Sequence, residues 1–290
     1  MRYAEHVVSI GRRLELFVRE YEPDDDTGRT AVLVHGASEH GARHRHVAER
    51  LCDRGWRVLT PDLRGHGRSG GRPMHLARFT EYLDDLARLY DRFDLQPEST
   101  AQLGHSMGGL ATVRFAQRHG GRLAAIALSS PLLGIAVHIP AALLASGRVL
   151  SVAYPWKRFR TVVDPTDVTR SAESLAERQS DPLHHKSVTA GWYFAVRAAI
   201  AAAWREAAAL ELPVMIVQAG EDRIVDGAAS RAWIECVGSD DVQFHELDGQ
   251  FHELHYEDDW PATVDLVHGW LDNRVGGVIP ATPQSLLQAA

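Results

Sequence analysis

Cysteine is scarce. Cys52 and Cys236 are the only two among 290 residues, and they lie far apart in segments that read as helices. Neither a C-x-x-C spacing nor companion metal ligands accompany them, which excludes a disulfide framework or zinc site as the organising principle. Both thiols are expected to be buried and unpaired. Basic charge is also in deficit, with 31 Lys and Arg against 38 Asp and Glu for a net charge of −7. No basic block could neutralise a run of phosphates, so nucleic acid is not an expected partner. Long apolar runs are missing as well. Met1 to Ile10 carries charges and a histidine where a signal peptide needs an unbroken apolar core, and the expectation is a cytoplasmic, reducing location. The most apolar stretch, Leu123 to Ala145, is interrupted by Pro131, Gly134, His138 and Pro140, which spoils it as a membrane-spanning helix.

What remains is a chain of 32.1 kDa, suited to one large domain with an insertion. Strand signals alternate with helix signals, the pattern of an α/β fold whose mostly parallel sheet is covered on both faces. Leu14, Leu16 and Val18 alternate with Glu15, Phe17 and Arg19, suggesting a half-buried strand in an antiparallel hairpin. Ala31 to Val34 is a short apolar run of the kind a buried central strand requires, and it ends at His35-Gly36. Further strands are expected at 56–60, 101–104, 123–128, 214–218 and 242–247. Helices are expected near 42–54, after Ser106, near 228–236 and over 260–271. Phe79, Tyr82, Leu83, Leu86, Leu89, Tyr90 and Phe93 fall at helical spacing, with Glu81, Asp84, Asp85 and Arg88 on the opposite side.

The rhythm breaks over 131–209, a largely helical stretch that interrupts the strand series and reads as a cap over an apolar pocket. Residues 1–130 and 210–275 then form the core. Opening of such a cap exposes apolar surface, so transient contact with a membrane or micelle is expected through it. Residues 276–290 read as a loose tail.

The chemical signal is Gly104-His105-Ser106-Met107-Gly108, a G-x-S-x-G directly after an apolar strand and directly before a helix. A serine in that sharp turn is held out above the sheet, and the glycines let neighbouring backbone pass without Cβ clashes. The helix N-terminus beneath supplies unpaired N–H groups where an oxyanion would form. A hydroxyl of ordinary acidity is a poor nucleophile, so Ser106 needs a base, and the base needs an orienting acid. His252, just after the last expected strand in Gly249-Gln250-Phe251-His252-Glu253, is the candidate base. His245 falls within that strand and His268 within the terminal helix, where structural roles are expected. Asp222, in the loop after 214–218, is the candidate acid, with Glu221 and Asp226 as rivals. The loop after Val34 places the Ala37 N–H beside that of Met107 as the two oxyanion donors. The run Asp62 to Gly70 is rich in glycine but lacks the Gly-Lys-Ser/Thr ending of a phosphate loop, and reads as a tight structural loop.

His35-Gly36-Ala37-Ser38-Glu39-His40 with Arg43, Asp62 to Ser69, Gly104 to Gly109, Asp181-Pro182-Leu183 and Phe251 to His255 together resemble monoacylglycerol lipases and related lysophospholipases. The likeness runs from about Ala31 to Leu271. It implies the α/β-hydrolase fold, with an eight-stranded sheet flanked by helices. By resemblance, Ser106, Asp222 and His252 match the family's triad, and Ala37 and Met107 its oxyanion hole. Glu39, Arg43, His105 and His255 match positions close to the serine, and so are expected to contact the alcohol part of the ester. Ser38 stands where many relatives carry glycine.

The expected function is therefore a serine hydrolase that cleaves small lipid esters, monoacylglycerols or lysophospholipids, through an acyl-enzyme on Ser106. That chemistry needs no metal or cofactor. Generic carboxylesterase, thioesterase or C–C hydrolase activity uses the same residues, and a non-catalytic small-molecule receptor on this scaffold would keep them too. An epoxide hydrolase or dehalogenase would carry aspartate at position 106.

Overall fold

A computed structural model describes residues 1–11 and 14–276; the tail expected over 276–290 lies, beyond Gly276, outside the described residues. Its strands are β1 (Arg2–Gly11), β2 (Leu14–Glu22), β3 (Arg29–Val34), β4 (Trp56–Pro61), β5 (Thr100–His105), β6 (Ala125–Ser129), β7 (Arg158–Arg160), β8 (Ser187–Thr189), β9 (Val214–Ala219) and β10 (Val242–Leu247). The helices are α1 (Arg45–Cys52), α2 (Thr80–Arg92), α3 (Met107–His119), α4 (Ala141–Ala153), α5 (Ala172–Ser180), α6 (Ala190–Arg205), α7 (Gly227–Ile234) and α8 (Trp260–Asp272).

Eight strands form one sheet in the order β1-β2-β4-β3-β5-β6-β9-β10. The β1–β2 and β2–β4 pairs are antiparallel and every other pair is parallel, as the alternating pattern predicted. The central strands alternate between two apolar layers. Val32 and Val34 face a core built with α2, α3 and α6, while Ala31 and Leu33 face a second core built with α1 and α8. From β3 the chain moves to β4 on one side, and β5 then returns to the other. The carboxyl ends of β3 and β5 thus flank the point where strand order reverses, the place where open α/β sheets leave a crevice.

The sequence reading expected an antiparallel hairpin here but did not locate its partner strand β1, whose side chains are mostly exposed at the sheet edge, with only Val8 and Ile10 buried. It also understated β2, which is buried on both faces. Arg19 is covered because it pairs with the buried Asp62 at 2.7 Å, and Glu20 because it meets His6 and Arg57. Asp62 further accepts the Gly41 and Arg68 N–H groups, each at 2.8 Å. The glycine-rich run is thus wound around one carboxylate. A Cβ on Gly67 would lie 2.2 Å from that carboxylate. Asp85, expected on the solvent side of α2, is fully buried and pairs with Arg64 of the same loop. Cys52 is buried as expected. Cys236, by contrast, is exposed, because it follows the end of α7 where the chain turns to solvent; both thiols are free.

Between β6 and β9 lie α4, α5, α6 and a small antiparallel ribbon of β7 with β8, which the sequence reading did not anticipate. The stretch is not uniform. Trp192, Val196, Ala199 and Ala203 of α6 are buried in the same core as α3. In α4 only Gly147 is buried, and Val149 and Val152 are 68% and 85% exposed. Among the described residues no helix is long and apolar enough to cross a membrane.

Candidate active site

β5 ends at His105 and α3 begins at Met107, which leaves Ser106 alone in the turn at φ 53° and ψ −117°. A non-glycine residue there is strained by about 1–3 kcal/mol, so the surroundings must hold it. They do so through the backbone. The Ser106 N–H donates to the Ser129 carbonyl at 2.9 Å, and the Ser106 carbonyl accepts the Leu110 and Leu132 N–H groups at 3.1 and 2.9 Å. The flanking glycines are steric necessities. A Cβ on Gly104 would sit 2.4 Å from the Gly108 carbonyl oxygen, and one on Gly108 would sit 2.1 Å from that of Val34.

Three distant side chains converge on this turn. His252 Nε2 lies 2.9 Å from Ser106 Oγ, and His252 Nδ1 lies 2.8 Å from Asp222 Oδ2. A carboxylate only accepts, so the ring proton sits on Nδ1, and Nε2 is left to accept the serine O–H. Asp222 Oδ1 accepts the Ile224 and Val225 N–H groups at 2.9 and 3.0 Å, while Gln218 Nε2 donates to Oδ2 at 3.1 Å. Burial alone would push the Asp222 carboxyl up, but the adjacent His252 and the two backbone donors hold it below the usual carboxylate range. The rivals are occupied elsewhere. Asp226 caps α7 by accepting the Ala228 and Ala229 N–H groups, Glu221 points to solvent, His245 lies on β10 beside Gln243, and His268 packs at the edge of Trp56.

Met107 is the first residue of α3, so its N–H has no acceptor within the helix. Ala37 follows β3 in a tightly held loop. The Gly36 N–H donates to Glu39 Oε1 at 2.5 Å; His35 Nδ1–H donates to the Gly36 carbonyl at 2.7 Å, and its Nε2 accepts the Leu63 N–H at 2.9 Å. Burial pushes His35 down to about 4, and the neutral ring this implies is the form that can both donate and accept.

Above Ser106 opens a cavity of about 220 Å³. Ala37, Ser106 and His252 line its floor; Leu132, Ile135, Leu143, Leu144, Phe159 and Val196 are among its apolar walls. Of the four residues expected near the alcohol, Glu39 and His105 line this cavity, but Arg43 and His255 do not. Arg43 is buried behind the floor, donating to Glu39 at 3.3 Å and Glu253 at 3.2 Å and stacking over Tyr256. His255 packs against the rings of His44 and His105. These contacts bury both residues, and neither is brought to the cavity where the alcohol was expected. The sequence reading also passed over Gln218, Glu253 and Arg178. Glu253 follows His252, is buried, and pairs with Arg178, which ties α5 to the histidine loop. Nearby, Glu257 accepts from Thr169 at 2.9 Å and from the Arg170 side chain at 2.7 Å.

Comparison with known proteins agrees with this architecture. The family model described as Hydrolase_4, serine aminopeptidase S33, matches residues 26–259. A monoacylglycerol lipase of Mycolicibacterium smegmatis is 33% identical over 254 residues, covering 87% of this chain and 90% of the relative. The phospholipase YtpA of Bacillus subtilis is 31% identical, covering 84% and 95% of the two chains. Among solved structures, the monoacylglycerol lipase of Paleococcus ferrophilus superposes with a TM-score of 0.83 at 25% identity, over 90% of this chain and 99% of that one.

Proposed function

The chain belongs to the Hydrolase_4 family, serine aminopeptidase S33, and from that premise we propose that it is a serine ester hydrolase acting on monoacylglycerols or lysophospholipids, with Ser106 as nucleophile, His252 as base and Asp222 as orienting acid. The observation that carries the reading is the unbroken relay from Ser106 Oγ to Asp222, opening onto an apolar cavity. Ser106 Oγ attacks the ester carbonyl as its proton passes to His252 Nε2. The oxyanion is held by the Ala37 and Met107 N–H groups. Collapse expels the alcohol, which takes the proton from His252, and water then repeats the sequence to release the acid. Asp222 keeps the imidazole in the required tautomer and stabilises the imidazolium. No metal or cofactor is used.

The apolar walls suit an acyl chain, and a cavity of about 220 Å³ favours substrates with a single chain. Exposed Val149 and Val152 on α4, with Tyr154 and Trp156 beyond it, support docking of this edge on a membrane or micelle. Two free thiols suit a reducing compartment such as the cytoplasm.

The test is to label the protein with a fluorophosphonate, map the adduct, and compare hydrolysis of mono-, di- and triacylglycerols, lysophospholipid and an aminoacyl anilide. We expect the adduct on Ser106, turnover confined to single-chain esters, and a loss on the order of 10⁴-fold or more in Ser106→Ala. An adduct elsewhere, or anilide turnover exceeding ester turnover, overturns the reading.

A further inference from the structure

The segment between α5 and β8, Asp181-Pro182-Leu183-His184-His185, has no place in the relay, yet it is tied to the loop that carries Ala37. His40 Nε2–H donates to Asp181 Oδ2 at 2.8 Å, and the His185 backbone N–H donates to the Ser38 carbonyl at 2.9 Å. His185 Nε2–H donates to the Gly65 carbonyl at 2.9 Å, fixing the same segment to the glycine-rich loop. The carboxylate is aimed by its own turn, because Asp181 Oδ1 accepts the Leu183 N–H at 2.8 Å. Asp181 and His40 are 141 residues apart, so nothing local requires them to meet.

What this strap holds is a residue in an unfavourable conformation. Ser38 has φ 68°, in the left-handed region where a Cβ is a liability and glycine is at ease. Ser38 follows directly on Ala37, and the direction of the Ala37 N–H depends on the peptide planes to either side. The Ala37 N–H shares its plane with the Gly36 carbonyl, which His35 Nδ1–H holds, and the plane before it is fixed by the Gly36 N–H on Glu39; on the far side the anchor is the Ser38 carbonyl on His185, beyond the left-handed Ser38. Release of that far anchor would let Ser38 relax and leave the Ala37–Ser38 side of the loop free to shift, so that the Ala37 N–H is held from one side only.

We propose that Asp181 and His185 are positioning residues, which hold Ser38 in its left-handed conformation and so keep the Ala37 N–H aimed at the oxyanion. This rests on the acyl-transfer reading above. A strap that merely docked the insertion would shape the cavity, and its loss would raise KM. A strap that aims an oxyanion donor acts on the transition state, and its loss lowers kcat with KM little changed.

The experiment compares Asp181→Ala, Asp181→Asn and His40→Leu with the parent protein. The readouts are kcat and KM on a monoacylglycerol and the second-order rate of fluorophosphonate inactivation. Loss of a whole oxyanion donor costs about 10²–10³-fold, and a misaimed one should cost less. We expect kcat and the inactivation rate each to fall about tenfold in Asp181→Ala and in His40→Leu, with KM within twofold. Asp181→Asn keeps one acceptor oxygen for two donors, His40 and the Leu183 N–H, and should fall between Asp181→Ala and the parent. Adding Ser38→Gly to Asp181→Ala should recover most of the loss, because glycine needs no strap to occupy that conformation. Unchanged kcat and inactivation rate in a folded Asp181→Ala or His40→Leu would overturn the proposal, as would a double variant no better than the single. If the parent itself neither hydrolyses esters nor takes the label, the functional reading fails instead.

Discussion

Gln218 Nε2 and His252 Nδ1 share one acceptor, the Oδ2 atom of Asp222, at 3.1 and 2.8 Å. Gln218 is fully buried near the end of β9, between Val217 and Ala219, where an amide has no reason to sit unless its donor is used. Gln218→Leu keeps the volume and removes the donor, leaving the carboxylate more basic and its hold on a neighbouring imidazolium tighter. The acid limb of kcat/KM should therefore move to higher pH, with a loss of about two- to tenfold on the plateau. A pH–rate profile that overlays the parent's would refute this.

Glycine 108 meets backbone, which cannot step aside. Its added Cβ would approach the carbonyl oxygens of Val34 and His35 to 2.1 and 2.5 Å, so Gly108→Ala should cost more than about 4 kcal/mol or prevent folding. At Gly121 a Cβ meets nothing within 4 Å, and Gly121→Ala should change stability by less than about 0.5 kcal/mol. Denaturant unfolding of the pair is the comparison, and similar midpoints would contradict the packing described.

Acid should unfold this protein early. Burial pushes His35 down to about 4 and His105 to about 3, both from an ordinary value of 6.5. The folded state thus binds fewer protons than the unfolded one below pH 6.5. The stability these rings contribute is intact above that pH and is lost as pH falls toward 4 and then 3. Each contributes a slope of about 1.4 kcal/mol per pH unit within its window. Thermal midpoints should be flat near neutrality and fall steeply between pH 6 and 4.5; a flat profile across that range would count against the buried neutral rings.

Arg43 is the counter-charge for two buried carboxylates, Glu39 and Glu253. Arg43→Met leaves them short of compensation, at a cost of about 3–5 kcal/mol. Because Arg43 does not line the cavity, KM for a monoacylglycerol should stay within about twofold while the thermal midpoint drops. A large rise in KM with unchanged stability would restore the contact with substrate that the residue's motif position suggested.

Legibility in the sequence followed locality. Ala31 to Val34 and the turn around Ser106 announce themselves because burial on both faces and a strained turn each leave a compact signature in consecutive residues. His252 and Asp222 could be chosen because each follows a strand that is itself legible. β1 escaped because an edge strand needs few apolar side chains. Arg19, Asp85 and Glu253 were harder for the opposite reason. They are charged, and what allows their burial is a partner 43 residues away for Arg19, 21 for Asp85 and 75 for Glu253. Arg43 and His255 share motifs with residues that line the cavity, and only packing separates those that face the cavity from those behind it.

The burial of α6 against α3 bears on how acyl preference could be transplanted between relatives. A chimera that exchanged everything from β6 to β9 would import foreign side chains at Trp192, Val196, Ala199 and Ala203 into the core shared with α3, and the mismatch would lower stability along with any change in specificity. Crossovers placed ahead of α6 leave that interior native, so the interchangeable cassette is the α4 side alone.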